Sequence, residues 1–161
     1  HQKDEKQLHI HDRLDGYIPQ EEFDLKGDNL TFHGIDLMGL IEKYGTPLRL
    51  TYLPRISENI QRAKRIFAQA MQKNDYHASY NYCYCTNSSP KQFHLLLPEA
   101  LKNDIHIETS SAYDIPIVEK LIAEGRLAKD SYILCNGFKR GKYIDYIARL
   151  INTGHPNTIP I

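Results

Sequence analysis

The sequence predicts an α/β fold built from parallel βα units. Segments that alternate like strands are separated by helical segments four times along the chain, a pattern typical of a parallel sheet with helices outside. The segment Tyr80–Ser89, YNYCYCTNSS, has small residues on one strand face and bulky residues on the other. The final residues, TIPI, read as one more strand. Together these observations predict a sheet of about five strands.

Two architectures share this element order, and periodicity does not separate them. One is a doubly wound sandwich of flavodoxin type, and the other is the first half of an eight-stranded barrel, which takes about 250 residues. Small residues facing inward and bulky residues facing helices suit a closed barrel. Because the last predicted strand has nothing after it, we expect a truncated, TIM-type barrel.

The amino-terminal region is predicted to differ from the rest. Residues 1–30 are polar and lack a sustained period, so we predict a tail there, with a short strand near Tyr17, and a partial barrel domain at residues 31–161. His9 and His11 have a spacing that can bind metal from a strand. No third ligand lies nearby in the sequence, and a solvated tail is the preferred interpretation.

The barrel elements follow from apolar periodicity and from helix start and stop signals. Asp36 is a predicted N-cap and Gly45 the stop of the first helix, and Pro98 is expected to break or kink the third. In chain order the predicted elements are helix 36–44, strand 48–53, a helix opened by Ser57, the strand from Tyr80, helix 93–102, strand 105–109, a helix opened by Ser111 and Asp114 and ending at Glu124, strand 131–137, helix 142–152 and strand 158–161.

Composition excludes several classes of function. Lys+Arg and Asp+Glu both number 20, which favours neither nucleic acid nor an anionic membrane as partner. No apolar run reaches the roughly 20 residues of a membrane span. The three cysteines lie in predicted strands, which favours reduced thiols and a cytoplasmic location. Cys83 and Cys85 form a C-x-C pair, but without a second pair we interpret them as small inward-facing residues and expect no metal.

Four segments in order resemble a known family. They are YGTPL at 44–48, YCTNSS at 84–89, ETSSAYDI at 108–115 and CNGFKR at 135–140. They resemble the barrel domain of fold-type III pyridoxal-phosphate enzymes, the alanine racemase and basic amino-acid decarboxylase group, and in particular the bacterial biosynthetic arginine decarboxylases. The resemblance extends from about residue 30 to the end of the chain and implies an alanine racemase-like barrel.

The resemblance also implies a cofactor site. In that family the second strand ends in a lysine that binds pyridoxal 5'-phosphate covalently, and the matching position here is Asn87. A carboxamide nitrogen is not nucleophilic, so Asn87 is expected to hydrogen-bond a cofactor without covalent attachment. Lys91 and Lys139 are the weaker candidates for a substitute amine. The cofactor-binding positions that the resemblance implies are Asn87, Ser88, Glu108 and Asn136.

Two acidic residues, Glu108 and Asp114, each have two possible roles. Glu108 shares a strand face with His106, and it is expected either to face the cofactor or to pair with a cation such as Arg49. Asp114 lies at an acidic position of the family, and it also completes an S-x-x-D capping signal with Ser111.

The function implied is decarboxylation of a basic amino acid, arginine to agmatine, in polyamine biosynthesis. In the family the phosphate loop and a second β-domain lie beyond the equivalent of residue 161, and the enzymes form homodimers or higher homo-oligomers. The alternative is a non-catalytic barrel relative that acts as a binding or regulatory subunit. A third hypothesis is an unrelated flavodoxin-like binding module, in which the four motif matches are coincidental. The sequence contains no glycine-rich phosphate motif.

Overall fold

A computed structural model describes most of the chain. Residues 22–86 and 90–161 are described, and for residues 90–94 only the backbone is included. The chain divides into two compact units, residues 1–51 and residues 52–161, and each unit is considered by itself.

Several predictions concern residues outside the described ranges. They are the strand near Tyr17, the pair of His9 and His11, and the candidate site residues Asn87 and Ser88. These remain predictions from the sequence.

Within residues 22–51, the first unit contains a small antiparallel sheet and one helix. Strands β1 (Phe23–Lys26), β2 (Asn29–Phe32) and β3 (Ile35–Asp36) pair in chain order, and helix α1 (Leu37–Tyr44) follows directly. The strands β1 and β2 include residues before position 31 that the sequence analysis assigned to an irregular tail. That assignment missed them because each strand has only 4 residues, too few to establish a period.

Helix α1 begins and ends where its capping residues predict. The carboxylate of Asp36 accepts hydrogen bonds from the backbone N–H groups of Met38 at 3.0 Å and Gly39 at 3.2 Å. At the other end, the N–H of Gly45 donates to the carbonyl of Ile41 at 2.7 Å. Gly45 has a φ of 79°, a conformation that costs glycine little.

The second unit alternates helices and strands, which confirms the predicted α/β class. Its four strands form one parallel sheet. Its elements are α2 (Pro54–Lys73), β4 (Cys83–Cys85), α3 (Pro90–Ala100) with a 3-10 turn at Leu101–Asn103, β5 (His106–Thr109), α4 (Asp114–Ala123), β6 (Ile133–Cys135), α5 (Lys142–Asn152) and β7 (Thr158–Pro160).

The strand order differs from that of one of the two architectures left open by periodicity, the flavodoxin type. The order is β4-β5-β6-β7, so each strand pairs with the next one along the chain. A flavodoxin-type sheet would insert the first strand of the fold between the second and third, whereas here Cys85 lies directly opposite Glu108. Right-handed crossovers that always step in one direction place all helices on one face. The sheet is therefore compatible with part of an α/β barrel.

Contacts between neighbouring helices agree with this arrangement. Arg149 of α5 binds Glu119 of α4 through two hydrogen bonds of 2.8 and 2.7 Å. The Ser57 hydroxyl of α2 donates to the Glu99 carboxylate of α3 at 2.6 Å. Helices α2 and α3, and likewise α4 and α5, thus lie side by side.

One predicted strand is not formed. The segment Leu48–Leu53 has no regular secondary structure, so the strand predicted there is wrong. Its last two carbonyls, of Tyr52 and Leu53, accept hydrogen bonds from the N–H groups of Arg55 and Ile56 and so belong to the first turn of α2. Alternating residues favour a strand, but a strand also needs a hydrogen-bonded neighbour.

Two helix predictions need smaller corrections. Helix α2 begins at Pro54, three positions before the predicted start at Ser57, because proline is well suited to the first helical turn. Helix α3 continues past Pro98 to Ala100, so it does not break there, and a kink at Pro98 stays a prediction. Helices α4 and α5 have essentially the predicted bounds, and α5 matches at both ends. None of the helices in the described residues combines the length and the hydropathy that crossing a membrane requires.

The core of the second unit lies between the sheet and helices α4 and α5. Ile107 and Ile133, from adjacent strands, are fully buried against Ile115 and Val118 of α4 and Leu150 of α5. Full burial of such a side chain contributes about 1.5–3 kcal/mol. This layer therefore fixes where each strand ends relative to its neighbours.

Candidate functional site

The sheet has a second face, which points away from α4 and α5 and which we call the distal face. Because successive strand residues alternate, it carries Cys83 and Cys85 of β4 and His106 and Glu108 of β5. Tyr84 points the other way and packs against the core. The predicted division of this strand into a small face and a bulky face is confirmed for these residues.

The polar groups of the distal face converge where the strands end. The Cys85 thiol lies 3.5 Å from Oε2 of Glu108 and donates to it. The side-chain amide of Asn136, directly after β6, donates to Oε1 of the same carboxylate at 3.2 Å. Three neighbouring strands thus each contribute one side chain. We call this end of the sheet the carboxyl edge, defined by Thr86, Ser110 and Asn136, the residues that follow β4, β5 and β6.

His106 occupies the opposite end of the distal face. Its Nδ1 accepts the backbone N–H of Tyr132 at 2.8 Å, so Nδ1 carries no hydrogen. The hydrogen of the neutral ring is then on Nε2, which lies 3.2 Å from Oδ1 of Asn81. Both ring nitrogens are bound to groups near the start of the strands, so His106 is not bonded to Glu108.

The two thiols of the distal face are held in the protonated form. Burial raises the pKa of Cys83 to about 12, with smaller contributions from Cys85 and Glu108. Burial also raises the pKa of Cys85, and the hydrogen bond to Glu108 raises it further. A thiol with a raised pKa donates to a carboxylate instead of reacting as a thiolate.

Asn136 is held by its backbone as well as by its side chain. Its N–H donates to the carbonyl of Thr109 at 2.8 Å, and its own carbonyl accepts the hydroxyl of Tyr143 at 2.9 Å. Its Oδ1 accepts the N–H of Gly137 at 2.7 Å. The carboxamide therefore has little rotational freedom, and its amide group is directed at Glu108.

Asp114 connects the ends of β4 and β5. Its Oδ2 accepts the backbone N–H groups of Ser110 at 2.8 Å and Ser111 at 3.1 Å, together with both serine hydroxyls. The same oxygen accepts the hydroxyl of Thr86 at 3.2 Å. One half of the S-x-x-D capping signal is formed, the bond from the Ser111 N–H to Asp114, but the helix itself begins at Asp114 and has no side-chain cap from Ser111. The carboxylate also holds the residue that follows β4.

Gly137 allows the loops after β5 and β6 to touch. It has a φ of 87°, and a Cβ at this position would lie 2.7 Å from the carbonyl oxygen of Ser110. Any other residue would force these loops apart. Gly137 thus keeps Asn136 close to the end of β5.

Comparison with known proteins shows a distant relative of this chain. The chain is 24% identical over 136 residues to a biosynthetic arginine decarboxylase of Geobacter sulfurreducens. It is distantly related to that decarboxylase. The aligned region covers 80% of this chain but 21% of the relative, so the chain spans about a fifth of the relative's length. No family model and no solved structure matches the chain.

The structure brings together two of the residues that the family resemblance assigns to a cofactor site. Glu108 and Asn136 are in direct contact, whereas Asn87 and Ser88 are outside the described residues. Within the described residues Glu108 binds two neutral groups, a thiol and a carboxamide, where the sequence analysis offered Arg49 or another cation as a partner.

Of the two candidate substitute lysines, the structure describes the side chain of Lys139 but not that of Lys91. Lys91 lies in the first turn of α3, and its side chain is outside the described part. The ammonium group of Lys139 donates to the carbonyls of Gly137, at 2.8 Å, and Ile161. Two of its three hydrogens are therefore directed at backbone oxygens beside β6 and β7.

Sequence reasoning missed Tyr143. It lies in the first turn of α5, is 3% exposed, and reads in the sequence as one more apolar position of an amphipathic helix. A tyrosine hydroxyl needs a partner when it is buried, and this is the only signal that the sequence offered. The partners themselves, at the ends of two other strands, depend on the fold.

Proposed function

We propose that this chain supplies the amino-terminal part of an alanine racemase-like, fold-type III barrel in a pyridoxal-phosphate-dependent decarboxylase. Its substrate would be a basic amino acid, arginine, converted to agmatine for polyamine biosynthesis. The observation that carries the proposal is the contact of Glu108 with Asn136 at the carboxyl edge of a sequentially ordered parallel sheet. Barrel enzymes keep their functional groups at this edge. The distant relationship to an arginine decarboxylase supports the choice of reaction.

The groups at the carboxyl edge fit pyridoxal phosphate in their chemistry. Glu108 offers a carboxylate that accepts from N–H groups, and the amide of Asn136 has a second hydrogen beyond the one given to Glu108. Asn87 and Ser88 would be the other holding residues. When bound, pyridoxal phosphate supplies the electron sink that takes up the pair left behind as carbon dioxide departs.

The chain's own residues would bind and orient. Asn136 directs the Glu108 carboxylate by a hydrogen bond, so the negative charge stays at a fixed place on the distal face. A carboxylate fixed in this way attracts a cationic group of a ligand without having to reorganise. The thiol of Cys85, protonated because burial raises its pKa, donates to the carboxylate from its other side.

The second candidate is a non-catalytic barrel relative that binds a ligand or regulates a partner chain. The observation that favours it is Asn87, which stands where the family has its covalent lysine. An asparagine there would leave only hydrogen-bonded cofactor. In either case we expect a cytoplasmic protein that assembles as a homodimer or higher homo-oligomer.

The test is cofactor binding by the full protein that carries this chain, before and after borohydride. Asn87→Lys should give a covalent label at residue 87, and the matched control Asn152→Lys, an exposed residue at the end of α5, should give none. The unsubstituted protein should bind pyridoxal phosphate reversibly and lose affinity on Glu108→Gln.

Three other outcomes would change the proposal. A label at Lys91 or Lys139 of the unsubstituted protein would show that our account of Asn87 is wrong. If Asn87→Lys binds covalently and decarboxylates arginine while the unsubstituted protein does neither, the non-catalytic relative is correct. If no variant binds the cofactor, the pyridoxal-phosphate assignment is refuted.

A further inference from the structure

The hydroxyl of Tyr143 joins two strand ends from beneath the sheet. It lies 2.9 Å from the hydroxyl of Thr109, the last residue of β5, and 2.9 Å from the carbonyl oxygen of Asn136, directly after β6. Tyr143 itself belongs to α5, the helix that follows. One side chain thus holds a strand, the loop after its neighbour, and the next helix.

The direction of these hydrogen bonds is set by the available hydrogens. Two carbonyls can accept the single hydrogen of the Tyr143 hydroxyl, that of Asn136 at 2.9 Å and that of Thr109 at 3.4 Å, and the nearer one, Asn136, is the main acceptor. The Thr109 hydroxyl then donates to the tyrosine oxygen. With Tyr143 3% exposed and Thr109 fully buried, water does not replace either partner at low cost.

The constraint continues from the backbone of Asn136 into its side chain. The carbonyl is held by Tyr143, the N–H by Thr109 and the Oδ1 by Gly137, and the remaining amide group points at Glu108. Removing the first of these contacts frees the peptide unit that carries the carboxamide. The Glu108 carboxylate then loses its fixed donor.

We propose that Tyr143 is a positioning residue, which holds Asn136 and through it Glu108 in the arrangement that a ligand meets at the carboxyl edge. It acts without touching the ligand, because its hydroxyl lies on the helix side of the sheet among the buried residues of the core. The inference rests on the proposed function only for the choice of pyridoxal phosphate as the probe.

The test compares Tyr143→Phe with Tyr146→Phe in the full protein. Both substitutions remove one hydroxyl from α5, and the ring of Tyr146, under Arg149 at 4.5 Å, keeps its cation–π contact as phenylalanine. Tyr143→Phe should weaken binding of pyridoxal phosphate about fivefold and speed hydrogen exchange at the amide of Gly137. Tyr146→Phe should change neither.

A double-mutant cycle separates positioning from a general loss of stability. In the Asn136→Ala background Tyr143→Phe should leave the affinity unchanged, because the side chain through which it acts is gone, while the midpoint of urea unfolding still falls. An equal loss of affinity in both backgrounds would overturn the proposal, and so would an unchanged affinity in Tyr143→Phe alone.

The positioning role can also be judged if the protein binds no pyridoxal phosphate. The side-chain amide resonances of Asn136 should then shift and broaden in Tyr143→Phe but not in Tyr146→Phe. Unshifted resonances would refute the positioning role, whereas shifted ones would support it and leave the failure with the cofactor assignment.

Discussion

Asp114 is the first residue of α4, and its carboxylate binds groups at the carboxyl edge. Removing this carboxylate should destabilise the carboxyl edge more than removing any other exposed or half-buried carboxylate near that edge. The perturbation is Asp114→Ala, with Asp114→Asn as the graded variant. One oxygen of Asp114 accepts the backbone N–H groups of Ser110 and Ser111 and the hydroxyl of Thr86. Alanine leaves all of these donors without a partner, whereas asparagine keeps one acceptor oxygen but loses the charge.

The size of the effect follows from these contacts. Each backbone N–H that loses an acceptor costs about 1 kcal/mol at a partly solvated position, and the hydroxyl of Thr86, 4% exposed, costs about 1 kcal/mol more. The serine hydroxyls can turn to water and add little. Asp114→Ala should therefore lower the free energy of unfolding by about 3 kcal/mol and Asp114→Asn by about half of that.

Urea unfolding followed by circular dichroism measures both values. Asp145→Ala is the matched control, because Asp145 is an exposed acid in the first turn of α5 and tests the helix-dipole contribution, about 0.3–1 kcal/mol. A loss below 1 kcal/mol for Asp114→Ala, or equal losses for the two alanine variants, would refute the reasoning. In that case water would already satisfy the donors around Asp114.

Three further substitutions test the site. Glu108→Gln should lower the pKa of Cys85, which burial and then the hydrogen bond to Glu108 raise, so alkylation of Cys85 by iodoacetamide should speed up in peptide mapping; an unchanged rate would contradict this. Burial raises the pKa of Tyr143 to about 12 from 10.0, so its contribution to stability is complete below pH 10 and lost towards pH 12. Tyr143→Phe should accordingly show a smaller fall in urea midpoint over that range, and an equal fall would count against it. Gly137→Ala meets a backbone oxygen at 2.7 Å and should cost more in thermal unfolding than Gly141→Ala, which has positive φ but nothing within 4 Å; similar costs would mean that the loop simply moves.

Much of the second unit could be predicted because its signals are local. The bounds of α5 follow from an apolar period that begins after Gly141 and ends before Gly154. The face assignment of Cys83, Cys85 and Tyr84 follows from strand alternation alone. Signals of this kind require no knowledge of which segments become neighbours.

The strand predicted at Leu48–Leu53 failed for the complementary reason. Its alternation resembles that of β5, yet β5 has hydrogen-bonded neighbours on both sides. Local sequence gives the tendency of a segment to be extended, whereas pairing is a property of the whole sheet. The hairpin strands Phe23–Lys26 and Asn29–Phe32 show the converse, since pairing there overrides a weak local signal.

The candidate site combines a predictable part with an unpredictable one. Glu108 and Asn136 were each expected near the end of a strand, but their contact depends on the register that sets Glu108 opposite Leu134. Register is determined by the packing of the core and is not encoded in a two-residue period. For the same reason Tyr143 could not be assigned a role until the ends of two strands were known.

The contacts around Thr86 indicate how a substitution at the neighbouring Asn87 should affect folding, and so how a binding test of that variant is interpreted. The N–H of Thr86 donates to the carbonyl of Glu108 at 3.0 Å, and its buried hydroxyl donates to Asp114 at 3.2 Å. The backbone that leads to position 87 is thus held by groups other than the side chain of Asn87. Asn87→Lys leaves these contacts of Thr86 in place, so we expect the variant to fold. If the folded variant binds pyridoxal phosphate covalently, the rest of the site has been kept and one substitution accounts for the missing attachment. If it folds equally well and binds nothing, the pyridoxal-phosphate assignment is refuted.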